Sequence, residues 1–343
     1  MDCDVHNVPA PGALERYLPD EWRAYHRRFG RRAYAGAHFP KGTPYACRTD
    51  AVPPGGGIPG CDLDFLREQL LDAWDIEAGI LNTVIPVRNQ LREYDAAFAR
   101  AINDWQVAEW LEKEPRLWAS LLTPFEDGDL AAAEIDRVAG HPRFVQVLLP
   151  ARTGEPLGSR RYWKLYEAAV RHDLPVGVHF GGGSGGHPIT GAGWPSFYLE
   201  DHAGMAQTFQ AHVTSLIFEG VFARFPGLRV VLIEGGVAWV APLMWRLDRA
   251  WERMRDEVPH VAEPPSAYIR RHFWMTTQPM EEPPVPGQFL QMLGHLGMND
   301  RLLFATDYPH WDFDAPDRAF PVKLAPALEH DILGGNARRL YRL

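Results

Sequence analysis

Cysteine is scarce: only Cys3, Cys47 and Cys61 occur in 343 residues. They form no close metal-like or redox pair, and an odd, sparse count fits a reducing cytoplasm rather than a disulfide framework. No apolar run approaches the roughly 18 residues of a membrane span, and no basic-then-apolar leader marks the chain for export. Positive charge is not in excess. Lys and Arg total 35 against 44 Asp and Glu, a formal charge of −9, which argues against a nucleic-acid surface. No Gly-x-Gly-x-x-Gly turn follows an early strand, which disfavours an open dinucleotide-binding sheet. What remains is a globular composition, 46% hydrophobic and 23% charged, with apolar content for one large core or two modest ones.

Short apolar, β-branched runs alternate with longer helical patterns. The expected strands are Met1–His6, Gly79–Val87, Arg116–Thr123, Arg143–Pro150, Leu174–Phe180, Leu228–Glu234, His272–Gln278 and Arg301–Asp307. Helical patterns between them include Asp64–Ala78, Tyr94–Glu114, Leu130–Ala139, Arg160–His172, Ala206–Phe225, Val240–Glu257 and Val285–Leu296. The interior strands read as nearly continuous apolar runs, as parallel strands covered by helices do. Eight such units in this length predict an α/β fold of the (β/α)₈ TIM-barrel type, one domain over residues 1–343. Residues 9–60 break the alternation with prolines, arginines and the segment Pro53-Pro-Gly-Gly-Gly-Ile-Pro-Gly60. This insertion follows strand 1, so a barrel places it at the C-terminal face, where it is expected to act as a lid.

The chemistry-bearing residues gather at strand ends. In an extended Met1-Asp-Cys-Asp-Val-His6, a period of two puts Asp2, Asp4 and His6 on one face and Cys3 and Val5 on the other. A carboxylate and an imidazole buried together need a partner, and a divalent metal satisfies both. His179 ends strand 5, before the glycine-rich 181–186, and Asp307 ends strand 8, before Tyr308-Pro-His-Trp-Asp312. A barrel brings Asp4, His6, His179 and Asp307 to one rim. Two imidazoles and two carboxylates suit Zn²⁺ first and Mn²⁺ second, with a position left open for water or substrate.

The Asp-x-His start, the strand-ending His179, Asp307-Tyr-Pro-His-Trp, Gly335-Asn-Ala-Arg-Arg-Leu-Tyr341 and the stretch 224–239 together resemble the amidohydrolase-related superfamily. The branch most similar includes the aminocarboxymuconate-semialdehyde, resorcylate and carboxyvanillate decarboxylases. The resemblance implies a metal-dependent barrel with Asp4, His6, His179 and Asp307 as ligands, and a homodimer. It also implies hydrolysis of a C–N or C–O bond, hydration of a double bond, or removal of CO₂ from an aromatic or muconate-like acid. One position departs from the pattern: where those decarboxylases carry a strand-6 histidine, this chain has Glu234. A glutamate can act as a general base, or as an acid if burial raises its pKa, but it cannot polarise a substrate as a cation.

Further candidates surround this set. His202, oriented by Asp201, is expected near the strand-5 end, with His212 on the same helical face. His310 is expected to contact substrate or support a ligand, Arg88 to grip a carboxylate and Trp194 to stack on a ring. Trp105, Trp110 and Trp245 read as core residues. The leading expectation is a metal-dependent hydrolase acting on a small carboxylated or aromatic substrate, with Asp307 moving the proton of a metal-activated water. Second stands a non-oxidative decarboxylase, with Asp307 or Glu234 protonating the ring carbon. A non-catalytic metal-binding protein is the third reading.

Overall fold

A computed structural model of the chain describes residues 1–30, 46–85, 87, 91–181, 188 and 190–343. Eight parallel strands pair in chain order, each with the next. They are β1 (Asp2–Val5), β2 (Gly79–Leu81), β3 (Leu117–Leu122), β4 (Phe144–Pro150), β5 (Val176–His179), β6 (Val230–Ile233), β7 (Phe273–Thr276) and β8 (Leu302–Leu303). Beyond β8 the chain returns to β1: Cys3 N donates to Phe304 O at 2.9 Å, Asp307 N to Asp4 O at 3.1 Å and His6 N to Tyr308 O at 2.7 Å. These bonds close the sheet, and the fold is a (β/α)₈ barrel.

Helices sheathe it. Those on the outside are α1 (Asp20–Phe29), α2 (Leu63–Leu66), α3 (Arg92–Gln106), α4 (Gly128–Val138), α5 (Trp163–Arg171), α6 (Tyr198–Ala203), α7 (Met205–Phe218), α8 (Val221–Arg224), α9 (Val240–Met254), α10 (Pro265–His272), α11 (Gly287–Leu296) and α12 (Pro326–His330). The last, α13 (Asn336–Tyr341), packs against the barrel interior. The expected Ala206–Phe225 helix is two helices, broken at Gly220, whose φ of +79° favours glycine. The larger apolar cluster lies between strands and helices, and the smaller one fills the barrel with Ile80, Val231, Ile233 and Leu303. Cys3 joins that inner cluster, contrary to strict alternation, because the register of β1 on β2 shifts between Asp2 and Val5. Trp105 and Trp110 are buried as expected, whereas Trp245 is 51% exposed, on the outward side of α9.

The insertion after β1 holds a helix that its composition conceals. α1 sets Trp22, Tyr25 and His26 against Tyr94 and Phe98 of α3, with His26 Nδ1 2.6 Å from the Tyr94 hydroxyl. This part lies on the barrel flank. Ala46–Arg48 instead runs along the loop after β8, where Trp311 N donates to Ala46 O and Arg48 N to Pro309 O, both at 2.9 Å. Residues 31–45, the middle of the expected lid, lie outside the described residues.

Candidate metal centre and active site

Asp4, His6, His179 and Asp307 converge at the C-terminal rim, each offering one ligand atom within 4.8 Å of the others, and all four are buried. Their bonding has a definite polarity. His6 Nδ1 lies 2.7 Å from the carbonyl oxygen of Asn82, and His179 Nδ1 contacts the carbonyl of Phe180. A carbonyl only accepts, so each Nδ1 carries the proton and each Nε2 lone pair is turned inward. There His6 Nε2 stands 2.8 Å from Asp307 Oδ1, and His179 Nε2 stands 3.2 Å from Asp4 Oδ1. Acceptor faces acceptor, and Asp4 Oδ2 is buried without a hydrogen-bond partner.

Such a cluster calls for positive charge at its middle, and the titration shifts say the same. Burial disfavours the Asp4 carboxylate, yet the charges of His179 and His6 outweigh it and hold the group well below the ordinary range. His179 is raised: burial opposes its charged form, and Asp4 more than compensates. Burial pushes Asp307 up to about 8, against the hydrogen bond from His6 and with the Asp4 charge adding to the rise. The opposed shifts of the two carboxylates mark a cluster of acceptors that lacks a cation, and the residues present fit a divalent one.

Backbone shape aims the carboxylates. Asp307 and Glu234 both have left-handed backbone, with φ of +61° and +59°, a conformation that side-chain-bearing residues adopt at a cost and that recurs at functional sites. Glu234 N donates to Thr276 Oγ1 at 3.0 Å, and the turn after it is clamped by Glu281, whose carboxylate accepts from Val237 N and Ala238 N, each at 3.0 Å. Glu234 Oε2 comes within 3.5 Å of His179 Nδ1. Its carboxylate also groups with His202 and Asp312, and with Asp307 and His310.

The other expected residues are placed as follows. His310 Nδ1 lies 2.7 Å from Asp307 Oδ1, behind the ligand set. His202, on α6, faces the site but is held by Asp312, Nε2 to Oδ2 at 2.9 Å. Asp201, the expected partner of His202, instead takes two hydrogen bonds from Arg152, at 2.7 and 2.6 Å, because a helical neighbour points about 100° away. His212 is a core histidine: Nε2 donates to Ala151 O at 2.6 Å and Nδ1 accepts from Leu157 N at 3.2 Å. Trp194 is 41% exposed, with the Arg152 guanidinium over its ring. Asp2 stays out of the ligand set, because both its oxygens are taken by Thr306 and one also by Asp4 N. Arg88 and residues 182–187 lie outside the described residues.

Sequence reasoning missed the supports. Asn82 binds His6 through its carbonyl and donates from Nδ2 to Asp4 Oδ1 at 2.8 Å. Ser120 Oγ donates to Asn82 Oδ1 at 2.5 Å, Gln146 Nε2 to Ser120 Oγ at 2.8 Å, and Tyr341 Oη to Gln146 Oε1 at 3.0 Å. A hydrogen-bonded ladder therefore runs through the barrel interior from α13 to Asp4. Gly177 makes room for it, since a Cβ there would meet the Gln146 carboxamide at 3.0 Å. Gln278, at the end of β7, donates to Asp312 Oδ2 at 2.9 Å. For Asn82 and Gln278 the available signal was a polar residue just past the end of an apolar strand, whereas Ser120 and Gln146 lie inside β3 and β4.

Fold and site together define a (β/α)₈ barrel with a His/Asp cluster of metal-binding type at its rim. The amidohydrolase family model matches residues 1–343, and the chain belongs to that family. Among curated relatives, the γ-resorcylate decarboxylase of Polaromonas sp. strain JS666 is 27% identical over 329 residues, covering 87% of this chain and 96% of that protein. The γ-resorcylate decarboxylase of Rhodococcus jostii strain RHA1 is 26% identical over 275 residues, covering 72% and 78%. The fold is shared with a crystal structure of 2,6-dihydroxybenzoate decarboxylase complexed with 2,6-dihydroxybenzoate, at a TM-score of 0.70, 21% identity and full coverage of both chains. It is shared equally with a dihydroxybenzoic acid decarboxylase from Polaromonas sp. JS666 with bound manganese and the inhibitor 2-nitroresorcinol, at a TM-score of 0.70 and 21% identity over 100% of this chain and 96% of that one.

These relatives correct the leading expectation of a hydrolase, since they are carboxy-lyases. The physical reason for the miss is that a His₂/Asp₂ cluster serves equally to activate water and to hold a substrate carboxylate. The ligand motif does not encode which.

Proposed function

We propose that this enzyme is a metal-dependent, non-oxidative decarboxylase of a small aromatic acid. The observation that carries the reading is the ring of inward-facing acceptors around Asp4 Oδ2, which asks for a cation at the strand ends. The names of the curated relatives support the reaction class. Asp4, His6, His179 and Asp307 would hold Mn²⁺ or Zn²⁺. When bound, the cation supplies a positive anchor for the substrate carboxylate and stabilises negative charge developing on the ring.

The chain's own groups manage the proton. As the ring–carboxyl bond breaks, its electron pair stays on the ring carbon and CO₂ leaves. Asp307, past the end of β8 and within 2.7 Å of His310, then passes a proton to that carbon. His310, at 2.7 Å from Asp307, returns a proton from solvent. Glu234, beside His179 and the His202–Asp312 pair, stands on the same side and holds the ring and the departing carboxylate in line.

Turnover of a panel of hydroxylated benzoates in D₂O, with Mn²⁺ or Zn²⁺ supplied, tests this. The expected result is CO₂ release with one deuterium on the product ring carbon and no ¹⁸O entering the product from labelled water. Label from ¹⁸O-water in the product, or no CO₂ from any member of the panel, would overturn it.

A further inference from the structure

The polar ladder inside the barrel has a direction. Tyr341 Oη donates to Gln146 Oε1 at 3.0 Å, and Gln146 Nε2 donates to Ser120 Oγ at 2.8 Å and to Asn82 Oδ1 at 3.2 Å. Ser120 Oγ donates to Asn82 Oδ1 at 2.5 Å, and Asn82 Nδ2 to Cys3 O at 3.1 Å and to Asp4 Oδ1 at 2.8 Å. Each of these side chains is buried. Every link runs from α13 towards the rim, and the last acceptor belongs to the metal cluster. The rim end fixes that sense. An ionised Asp4 and the Cys3 carbonyl only accept, so the Asn82 amino group faces them and its oxygen faces Ser120. That oxygen takes the Ser120 proton, Ser120 in turn accepts from Gln146, and the Gln146 oxygen is left for Tyr341. Turning over either carboxamide would rob Asn82 Oδ1 or Asp4 Oδ1 of its donors.

Stability alone does not call for such a chain. Apolar side chains fill the rest of the barrel interior, and exchanging a buried polar pair for apolar groups of like shape is close to neutral. What the ladder supplies and an apolar filling cannot is a fixed donor on Asp4. Asn82 claims Oδ1 and leaves Oδ2 without a hydrogen-bond partner among the described residues. We infer that Tyr341, Gln146 and Ser120 are positioning residues for Asp4, so that a hydroxyl on α13 helps set cation affinity at the opposite end of the barrel. The inference rests on the cation site read above and holds whichever reaction that cation serves. Tyr341→Phe shows how the effect travels. It strands Gln146 Oε1, and the carboxamide gains by turning over: its oxygen takes the Ser120 proton and its amino group lies against the new ring. Asn82 Oδ1 then loses both donors, and Asp4 is held less firmly. The effect reaches the cluster through Asn82, which separates it from a general loosening of the core.

Chelator competition for Mn²⁺ and Zn²⁺ on the full chain, run as a double-mutant cycle, tests this. Tyr341→Phe is expected to weaken metal binding roughly 3–10-fold, less than the 10–100-fold of a group that touches the ligand itself. In an Asn82→Ala background the same substitution is expected to change affinity by less than about 2-fold, because its route to Asp4 is gone. Ser120→Ala strips the shorter donor from Asn82 and leaves Tyr341 in place. It is expected to behave likewise, and it carries the test should Tyr341→Phe fold poorly. The melting temperature provides the contrast, since Tyr341→Phe should lower it in both backgrounds. Metal affinity equal to wild type in Tyr341→Phe and Ser120→Ala would overturn the inference. So would losses of the same size with and without the Asn82 side chain. A wild type that binds neither ion would sink the cation site, and the inference with it. Failure of the decarboxylase reading looks different: the metal affinities and their coupling would remain, with no CO₂ released.

Discussion

Asn82 bonds both ligands of β1 at once, accepting from His6 Nδ1 at 2.7 Å and donating to Asp4 Oδ1 at 2.8 Å. Removing its side chain leaves the backbone carbonyl on His6 but frees Asp4 Oδ1, so Asp4 should tilt and metal affinity fall by roughly 10–100-fold, the usual effect of losing a group that orients a ligand. Competition against a chelator reads this, and an Asn82→Ala variant with wild-type affinity would show that the ligands hold themselves. Asp4→Ala and His179→Ala remove ligands outright, and both are expected to purify without metal by elemental analysis, where the wild type is expected to carry about one ion per chain. Glu234 separates chemistry from structure. If it positions the reacting groups, Glu234→Gln should keep fold and metal while turnover drops by roughly 10²–10⁴. A Gln variant that melts earlier and turns over normally per folded molecule would make Glu234 a structural residue and remove it from the site. Of these residues, Asp4, His6, His179, Asp307 and Glu234 were legible as polar groups ending apolar strands. Asn82 and Gln278 carry the same signature, and only their contacts distinguish them from ordinary loop residues.

At the scale of elements, α13 stoppers the barrel. The Met1 amino group donates to Leu333 O at 2.7 Å, Asn336 Nδ2 to Leu302 O at 2.8 Å, and Tyr341 Oη to the buried Gln146 Oε1 at 3.0 Å. Tyr341→Phe keeps the ring and strands the Gln146 oxygen, which should cost about 1–3 kcal/mol and lower the melting temperature. A melting temperature equal to wild type would mean that water takes over the bond. Element legibility followed burial. β2 to β8 lie within runs that their apolar composition announced, because strands buried on both faces hold few polar residues, whereas β1, Asp-Cys-Asp-Val, was announced by its acid–x–His pattern. α1 was hidden because it rests on the flank with no residue fully buried, so only Trp22, Tyr25 and Phe29, at helical spacing, betray it.

At the scale of the whole molecule, the barrel floor depends on charge. Glu114, just before β3, is clamped by Arg116 and Arg67 at 2.9 and 2.8 Å. Hydrogen bonds from Arg116 hold its carboxyl down to about 2 from an ordinary 4.5, against burial and with Arg67 assisting. The folded-state value lies below the unfolded one, so this contribution is complete above pH 4.5 and is lost as pH falls towards 2. Allowing for solvent around the guanidinium groups, it is worth about 1–2 kcal/mol. Chemical denaturation between pH 5 and 2.5 should show a shallower acid limb for Glu114→Gln than for wild type, and parallel limbs would refute it. Among the described residues no helix is long and apolar enough to cross a membrane.

The sequence by itself determined the barrel, its strand order and four polar residues at its rim, because apolar periodicity and strand ends are local properties of the chain. Tertiary structure decided what those residues face. Which nitrogen of each imidazole points inward depends on the carbonyls of Asn82 and Phe180. That His202 pairs with Asp312, 110 residues away, rather than with adjacent Asp201, follows from barrel closure. The reaction class lay beyond the ligand motif for the same reason, since one cluster binds water or a carboxylate according to the groups that surround it at the rim, and those come from strands far apart in the chain.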